Sequence, residues 1–166
     1  MEAERGQENL QELIGYKFSD PSLLLKATTR SQYLNDNNDP HIGKDDNMDP
    51  LATFGDAVLD LIMIHVQYRQ GVRDIGILTD NKIKNIRKSK TRAVAERHAY
   101  EKYIRWGQGE YSDKIWTKGD KTFDTCIEAL IGAVYLDVFH NKKDLITMNA
   151  ETCVCSVLTK LGLSLY

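Results

Sequence analysis

Two stretches of the chain are almost wholly apolar yet carry carboxylates at helical spacing. Leu51–Asp60 reads LATFGDAVLD and Glu128–Asp137 reads EALIGAVYLD. Apolar residues return every three or four positions rather than every second one, so each stretch predicts a buried helix. The first extends over Leu51–Gln70 and the second over Thr122–Val138. Asp20-Pro21-Ser22 predicts a helix running through Lys26, with Asp as cap and Pro in the first turn. Beyond the break at Gly71–Gly76, Leu78, Ile83, Ile86, Ala93 and Val94 form one side of a further periodic segment. Lys82, Lys84, Arg87, Lys88, Lys90, Arg92 and Arg97 form the other, which predicts one or two amphipathic helices with a basic face. Asn35–Asp49, NDNNDPHIGKDDNMD, predicts a mobile acidic loop. Residues 106–120, with two Trp and no helical period, predict a second loop. Strand alternation is absent throughout. The expectation is an all-α fold of about seven helices, one domain over residues 1–166.

Composition narrows the class. A chain of 166 residues can bury a single sizeable core. Its 42% hydrophobic and 28% charged residues are ordinary for a globular protein. No apolar run approaches the roughly 18 residues of a membrane span. The first ten residues, MEAERGQENL, are acidic and lack the apolar centre of a signal peptide. The three cysteines, an odd count in no zinc pattern, favour a reducing, cytoplasmic setting. A net charge of −2 is low for a nucleic-acid binder, but local patches set the field, and the basic segment is such a patch. That face either contacts phosphates or is simply solvated.

The carboxylates supply the candidate chemistry. Asp49 and Asp56 lie seven apart and point nearly the same way on a helix. Asp124 and Glu128 lie four apart and share a face. Carboxylates on buried helices are costly unless neutralised, and a divalent cation is the usual partner, which points to a metal site acting on phosphates. Asp60, four after Asp56, reads more simply as a helix-surface acid, and Thr125 as a residue packed beside Cys126. His65 reads as a hydrogen-bonded, partly buried residue in an apolar helix, and the four histidines show no metal spacing.

Several segments resemble the catalytic domain of ribonuclease III. They are GYKFSDPSLLLKATT (Gly15–Thr29), FGDAVLDL (Phe54–Leu61), LTDNKIKNIRKSKTRAVAE (Leu78–Glu96), GQGE (Gly107–Glu110) and EALIGAVYLD, in the family's order. The resemblance covers residues from about 10 to about 160, and FGDAVL and EALIGAVYLD are its specific parts. It implies a homodimer that cuts double-stranded or structured RNA with Mg2+ (Mn2+ as a substitute). Two protomers would build one valley in which each site cuts one strand. The basic segment, with Lys82, Lys84, Arg87 and Lys88, would lie near the substrate. The chain's end at Tyr166 implies a minimal member without the double-stranded-RNA-binding module of longer relatives.

The match departs from the family at its acids. The signature Glu-x-x-Glu-Phe-Leu-Gly-Asp becomes Asp49, Ala52, Thr53, Phe54, Gly55 and Asp56 at its specified positions. The pair Asp-x-x-Glu becomes Thr125 and Glu128, with Asp124 one residue early and about 100° away around the helix. The resemblance therefore gives Asp56, Glu128 and Asp49 as catalytic acids and metal ligands, with Asp124 a weak fourth. Dimer contacts would come from Phe54, Val58 and Leu61, repacked because the family's aromatic position is Thr53. The readings left open are an endoribonuclease with an incomplete metal site and a catalytically silent RNA-binding or scaffold member of an RNA-processing or ribosomal assembly.

Overall fold

The computed structural model describes residues 2–37, 43–79, 88–119, 121–141 and 150–163. These fold as α1 (Glu2–Ile14), α2 (Pro21–Ala27), α3 (Ser31–Asp36), α4 (Met48–Arg69), α5 (Lys88–Arg97), α6 (Gln108–Ser112), α7 (Lys121–Asn141) and α8 (Ala150–Leu161). Two 3-10 turns, Tyr100–Tyr103 and Ile115–Thr117, and a helical stretch at 75–79 complete them. The fold is all-α as expected. Extended pairing among the described residues is limited to one bridge, Thr29 with Arg105.

Local chemistry sets the helix starts. Asp20 caps α2 by accepting a hydrogen bond from the Ser22 amide at 2.9 Å, and Pro21 fills the first position, as the sequence predicts. Asn47 caps α4 in the same way, accepting from the Asp49 amide at 2.9 Å. The expected acidic loop 35–49 is therefore shorter at both ends: α3 runs through Asp36, and α4 begins at Met48. The expected second loop, 106–120, is also corrected. The Glu110 carboxylate accepts from the Gly107 amide at 3.2 Å and starts the short helix α6, and a 3-10 turn follows.

α7 is the axis of the domain. Phe123, Cys126, Ile127, Leu130, Ile131 and Val134 on it are all buried, and α2, α4, α5 and α8 pack around it. α4 contributes Leu51, Val58, Leu59, Ile62 and Met63 to the same core. The α4–α7 crossing is set by two glycines. A side chain on Gly55 would run into the Glu128 carbonyl, and one on Gly132 into the Leu51 carbonyl. Only bare backbone lets the two helices approach this closely. A buried carboxylate fixes the other end of α7. Asp137 accepts from the Tyr16 hydroxyl at 2.8 Å and from the Ser19 and Asp20 amides at 2.9 and 2.8 Å, which docks the α1–α2 turn onto the core.

Candidate active site

The glycine crossing places the acids. From α4, Asp49, Ala52, Thr53 and Asp56 follow one another around its turns, and from α7 come Thr125 and Glu128. These six residues line one open hollow of about 360 Å3. Asp49 and Asp56 are exposed, and Glu128 is partly buried. The structure thus brings together three of the four acids singled out from sequence. Asp124 is not among the residues lining the hollow; it is buried in the first turn of α7, as a residue about 100° from Thr125 must be displaced. Asp60 does not line it either.

Ala52 and Thr125, which stand where the signature of the resembled family has acids, line the wall of this hollow. The hydroxyls nearby do not replace them. Thr53 Oγ1 donates to the Asp49 carbonyl at 3.2 Å, and Thr125 Oγ1 to the Lys121 carbonyl at 3.1 Å. Both are held by their own helix backbone, as threonines within helices commonly are.

The donor chemistry suits a hard cation. Mg2+ takes one or two protein carboxylates and completes its shell with water and substrate oxygen. Asp49, Asp56 and Glu128 are donors of the type such an ion takes. Among the described residues, no three His, Cys, Asp or Glu side chains are grouped closely enough to hold a metal ion between them.

Two residues given no role from sequence support the hollow from behind. Arg30 donates through Nε and Nη2 to Glu110 Oε1 at 3.0 and 2.8 Å, and its Nη1 lies 3.8 Å from Met48 Sδ, one residue before Asp49. The pair is largely buried. Burial alone would lower the Arg30 pKa, but the Glu110 hydrogen bond and charge, with Cys126 and Asp49 further off, raise it overall. The partners are 80 residues apart, so only the fold reveals them. Beneath lies Cys126, whose thiol burial pushes up to about 12, so it is held as a neutral packing group. His65 is hydrogen-bonded as expected, Nδ1 to Glu151 Oε2 at 2.7 Å, although its side chain is exposed rather than partly buried.

The family model described as Ribonuclease-III-like matches residues 20–150. The chain belongs to the ribonuclease-III-like family. Ribonuclease 3 of Lactiplantibacillus plantarum is 31% identical over 130 residues, which are 77% of this chain and 54% of that one. Ribonuclease 3 of Syntrophobacter fumaroxidans is 32% identical over 143 residues, 82% of this chain and 55% of that one. The chain spans about half the length of these curated relatives. The nuclease domain of ribonuclease III from Campylobacter jejuni, described for structural flexibility in its dimer-forming region, shares the fold. It matches with a TM-score of 0.71 at 21% identity, over 93% of this chain and 94% of that one.

In this ribonuclease-III-like domain, the face of α4 beside the hollow is apolar and open. Phe54, Ala57, Leu61, Ile64 and Tyr68 are exposed and step by three, four, three and four residues. Phe54 rests edge-on against Tyr135, ring centroids 5.7 Å apart. It borders a concavity of about 410 Å3 shared with Leu61, Leu136 and Phe139. Of the three dimer candidates, Phe54 and Leu61 are exposed here, whereas Val58 is 4% exposed and belongs to the core, lining the concavity from below. Lys82, Lys84 and Arg87 lie outside the described residues. Lys88 opens α5, and its side chain is outside the description. No helix of the described residues is long and apolar enough to cross a membrane.

Proposed function

We propose that this domain is a cytoplasmic ribonuclease III-type endoribonuclease acting on double-stranded or structured RNA, with a depleted acid set. The observation carrying this reading is the convergence of Asp49, Asp56 and Glu128 on one solvent-open hollow at the α4–α7 glycine crossing. A hollow walled by carboxylates repels a phosphodiester unless a cation intervenes, so those acids make sense as holders of Mg2+ or Mn2+. When bound, such an ion supplies charge neutralisation and an activated water. The chain's own contributions are positional. Asn47 and the Arg30–Glu110 pair fix the start of α4 and with it Asp49. Gly55 and Gly132 fix Asp56 against Glu128. A homodimer through the α4 face would set two such hollows along one duplex. The basic segment carrying Lys82, Lys84, Arg87 and Lys88 would hold phosphates through charge and shape rather than sequence.

A silent, RNA-binding member is the second reading, favoured by the backbone-held Thr125 hydroxyl and the bare Ala52 wall. Cleavage of a simple RNA duplex in Mg2+ or Mn2+ separates the two. Wild type should cut slowly, and Glu128→Gln should abolish cutting. Ala52→Glu together with Thr125→Asp should raise the rate by orders of magnitude, since each transition-state stabiliser is worth about 10^2 to 10^3. No cutting by wild type, with duplex binding intact, would favour the silent reading. Wild-type cutting that the double variant cannot exceed would overturn the depleted-site account.

A further inference from the structure

The segment between α5 and α7 carries a row of aromatic rings that runs from the core at Trp106, through half-buried Trp116, to exposed Tyr111. Tyr111, directly after Glu110, is 65% exposed. Its ring lies 5.6 Å from Trp116 at an interplanar angle of 52°, and Trp116 in turn lies 4.9 Å from Trp106. The inner ring is firmly held: Trp106 is buried, its Nε1 donates to the Glu101 carbonyl at 2.8 Å, and the Arg30 guanidinium sits 5.9 Å above it. The outer ring is not covered. Among the described residues, neither the Tyr111 hydroxyl nor the Trp116 indole N–H has a hydrogen-bond partner.

The backbone between the rings is bent to make this arrangement. Lys114 takes the left-handed conformation, φ 47°, which a residue with a side chain adopts at a cost of about 1 kcal/mol or more. That turn lets Ile115–Thr117 fold back so that Trp116 meets Tyr111. Four cations lie around it, of which Arg92 is paired with Glu96 at 2.8 Å. Lys114, Lys118 and Lys121 are exposed and Arg92 is partly exposed; Lys118 binds Asp113 at 2.8 Å, and Arg92 reaches the Thr117 carbonyl at 3.3 Å.

We propose that Tyr111 and Trp116 form a stacking step for an unpaired base of the RNA whose duplex part occupies the hollow. An exposed ring with an open π-face, a free hydroxyl and lysines alongside is what an unstacked nucleotide and its phosphate require. The distance is suitable. Trp116 is five residues from Lys121, at most about 18 Å of chain. Thr125, in the wall of the hollow, is one helical turn of about 6 Å further. The preferred substrate is then a duplex flanked by unpaired nucleotides: a bulge, a loop or a tail. This inference rests on the reading of the domain as one that acts on RNA.

The test is binding in Mg2+, with every protein carrying Glu128→Gln so that no cleavage occurs and wild type meaning Tyr111 retained, of a blunt RNA duplex and of the same duplex with an unpaired tail. Wild type should prefer the tailed form five-fold or more, the range expected for one stacked base, and the tail should quench tryptophan fluorescence. Tyr111→Ala should erase the preference and the quenching while leaving blunt-duplex affinity and helicity unchanged; Tyr111→Phe should keep both. Equal wild-type affinities for the two duplexes, or a preference surviving in Tyr111→Ala, would overturn the stacking step and leave the proposed function standing. An equal loss of affinity for both duplexes in Tyr111→Ala would also overturn it. Failure to bind either duplex would remove the proposed function and this inference together.

Discussion

Single residues in this domain matter by what surrounds them, and Tyr100 shows it most sharply. It is fully buried, and its hydroxyl finds no hydrogen-bond partner among the described residues. Burial holds its phenol well above the ordinary 10.0. The folded chain therefore keeps a proton that the unfolded chain releases, so this contribution is intact below pH 10 and lost as pH rises past it. Tyr16 acts in the same direction, through burial and its bond to Asp137. Tyr100→Phe is expected to gain about 1 kcal/mol at pH 7 by removing a buried unmet hydroxyl. It should also flatten the alkaline fall in stability, which for one group approaches about 1.4 kcal/mol per pH unit. Urea unfolding at pH 7 and between pH 9.5 and 11 checks both, and an unchanged alkaline slope would refute the account. Sequence alone cannot expose such a residue, since Tyr100 lies in no apolar period.

At the scale of elements, helix interiors were legible, and helix edges only where a cap is plain in the sequence, as Asp20-Pro21 is for α2. The apolar periods of α4 and α7 identify both helices, but the start of α4 is decided by the Asn47 cap, and α6 by the Glu110 carboxylate. Neither leaves an apolar period to read. Asp49 and Asp56 were legible because they share a helix face, and Glu128 through the resemblance, whereas the spacing that paired it with Asp124 misled. The Arg30–Glu110 brace was not legible, because it joins residues 80 apart. What the two long helices share is their crossing, and it admits no side chain at Gly55 or Gly132. Gly55→Ala must push backbone from backbone, where no flexible side chain can yield. The expected loss is about 3 kcal/mol or more, at the upper end for overpacking. For a chain of this size that lowers the melting temperature by roughly 6–12 °C. Calorimetry measures it; a variant melting with wild type would mean that the crossing is looser than the carbonyl contacts indicate.

At the scale of the whole molecule, α4 carries two surfaces side by side. Thr53 and Asp56 face the hollow, while Phe54, Ala57, Leu61, Ile64 and Tyr68 form the adjacent apolar seam. Steps of three and four residues are the spacing by which one helix packs along another. With Leu61 59% and Phe139 64% exposed, the seam and its concavity form a continuous apolar patch of the kind that marks an association site. In the proposed homodimer a second copy would cover it through the same patch on both sides, the usual arrangement of a two-fold dimer. Because hollow and seam are neighbouring faces of one rigid helix, pairing the seams also fixes the separation of the two hollows. The expected mass at micromolar concentration is twice the 18.9 kDa of the chain. Leu61→Asp should give monomers with unchanged helicity, since the side chain is already mostly in water and its charge is costly only when the partner covers it. The same variant should bind duplex RNA more weakly, having one basic segment and one hollow per particle instead of two. Sedimentation equilibrium decides between the states. A wild-type protein of single-chain mass at tens of micromolar, or a Leu61→Asp variant that remains dimeric, would take the seam out of the assembly.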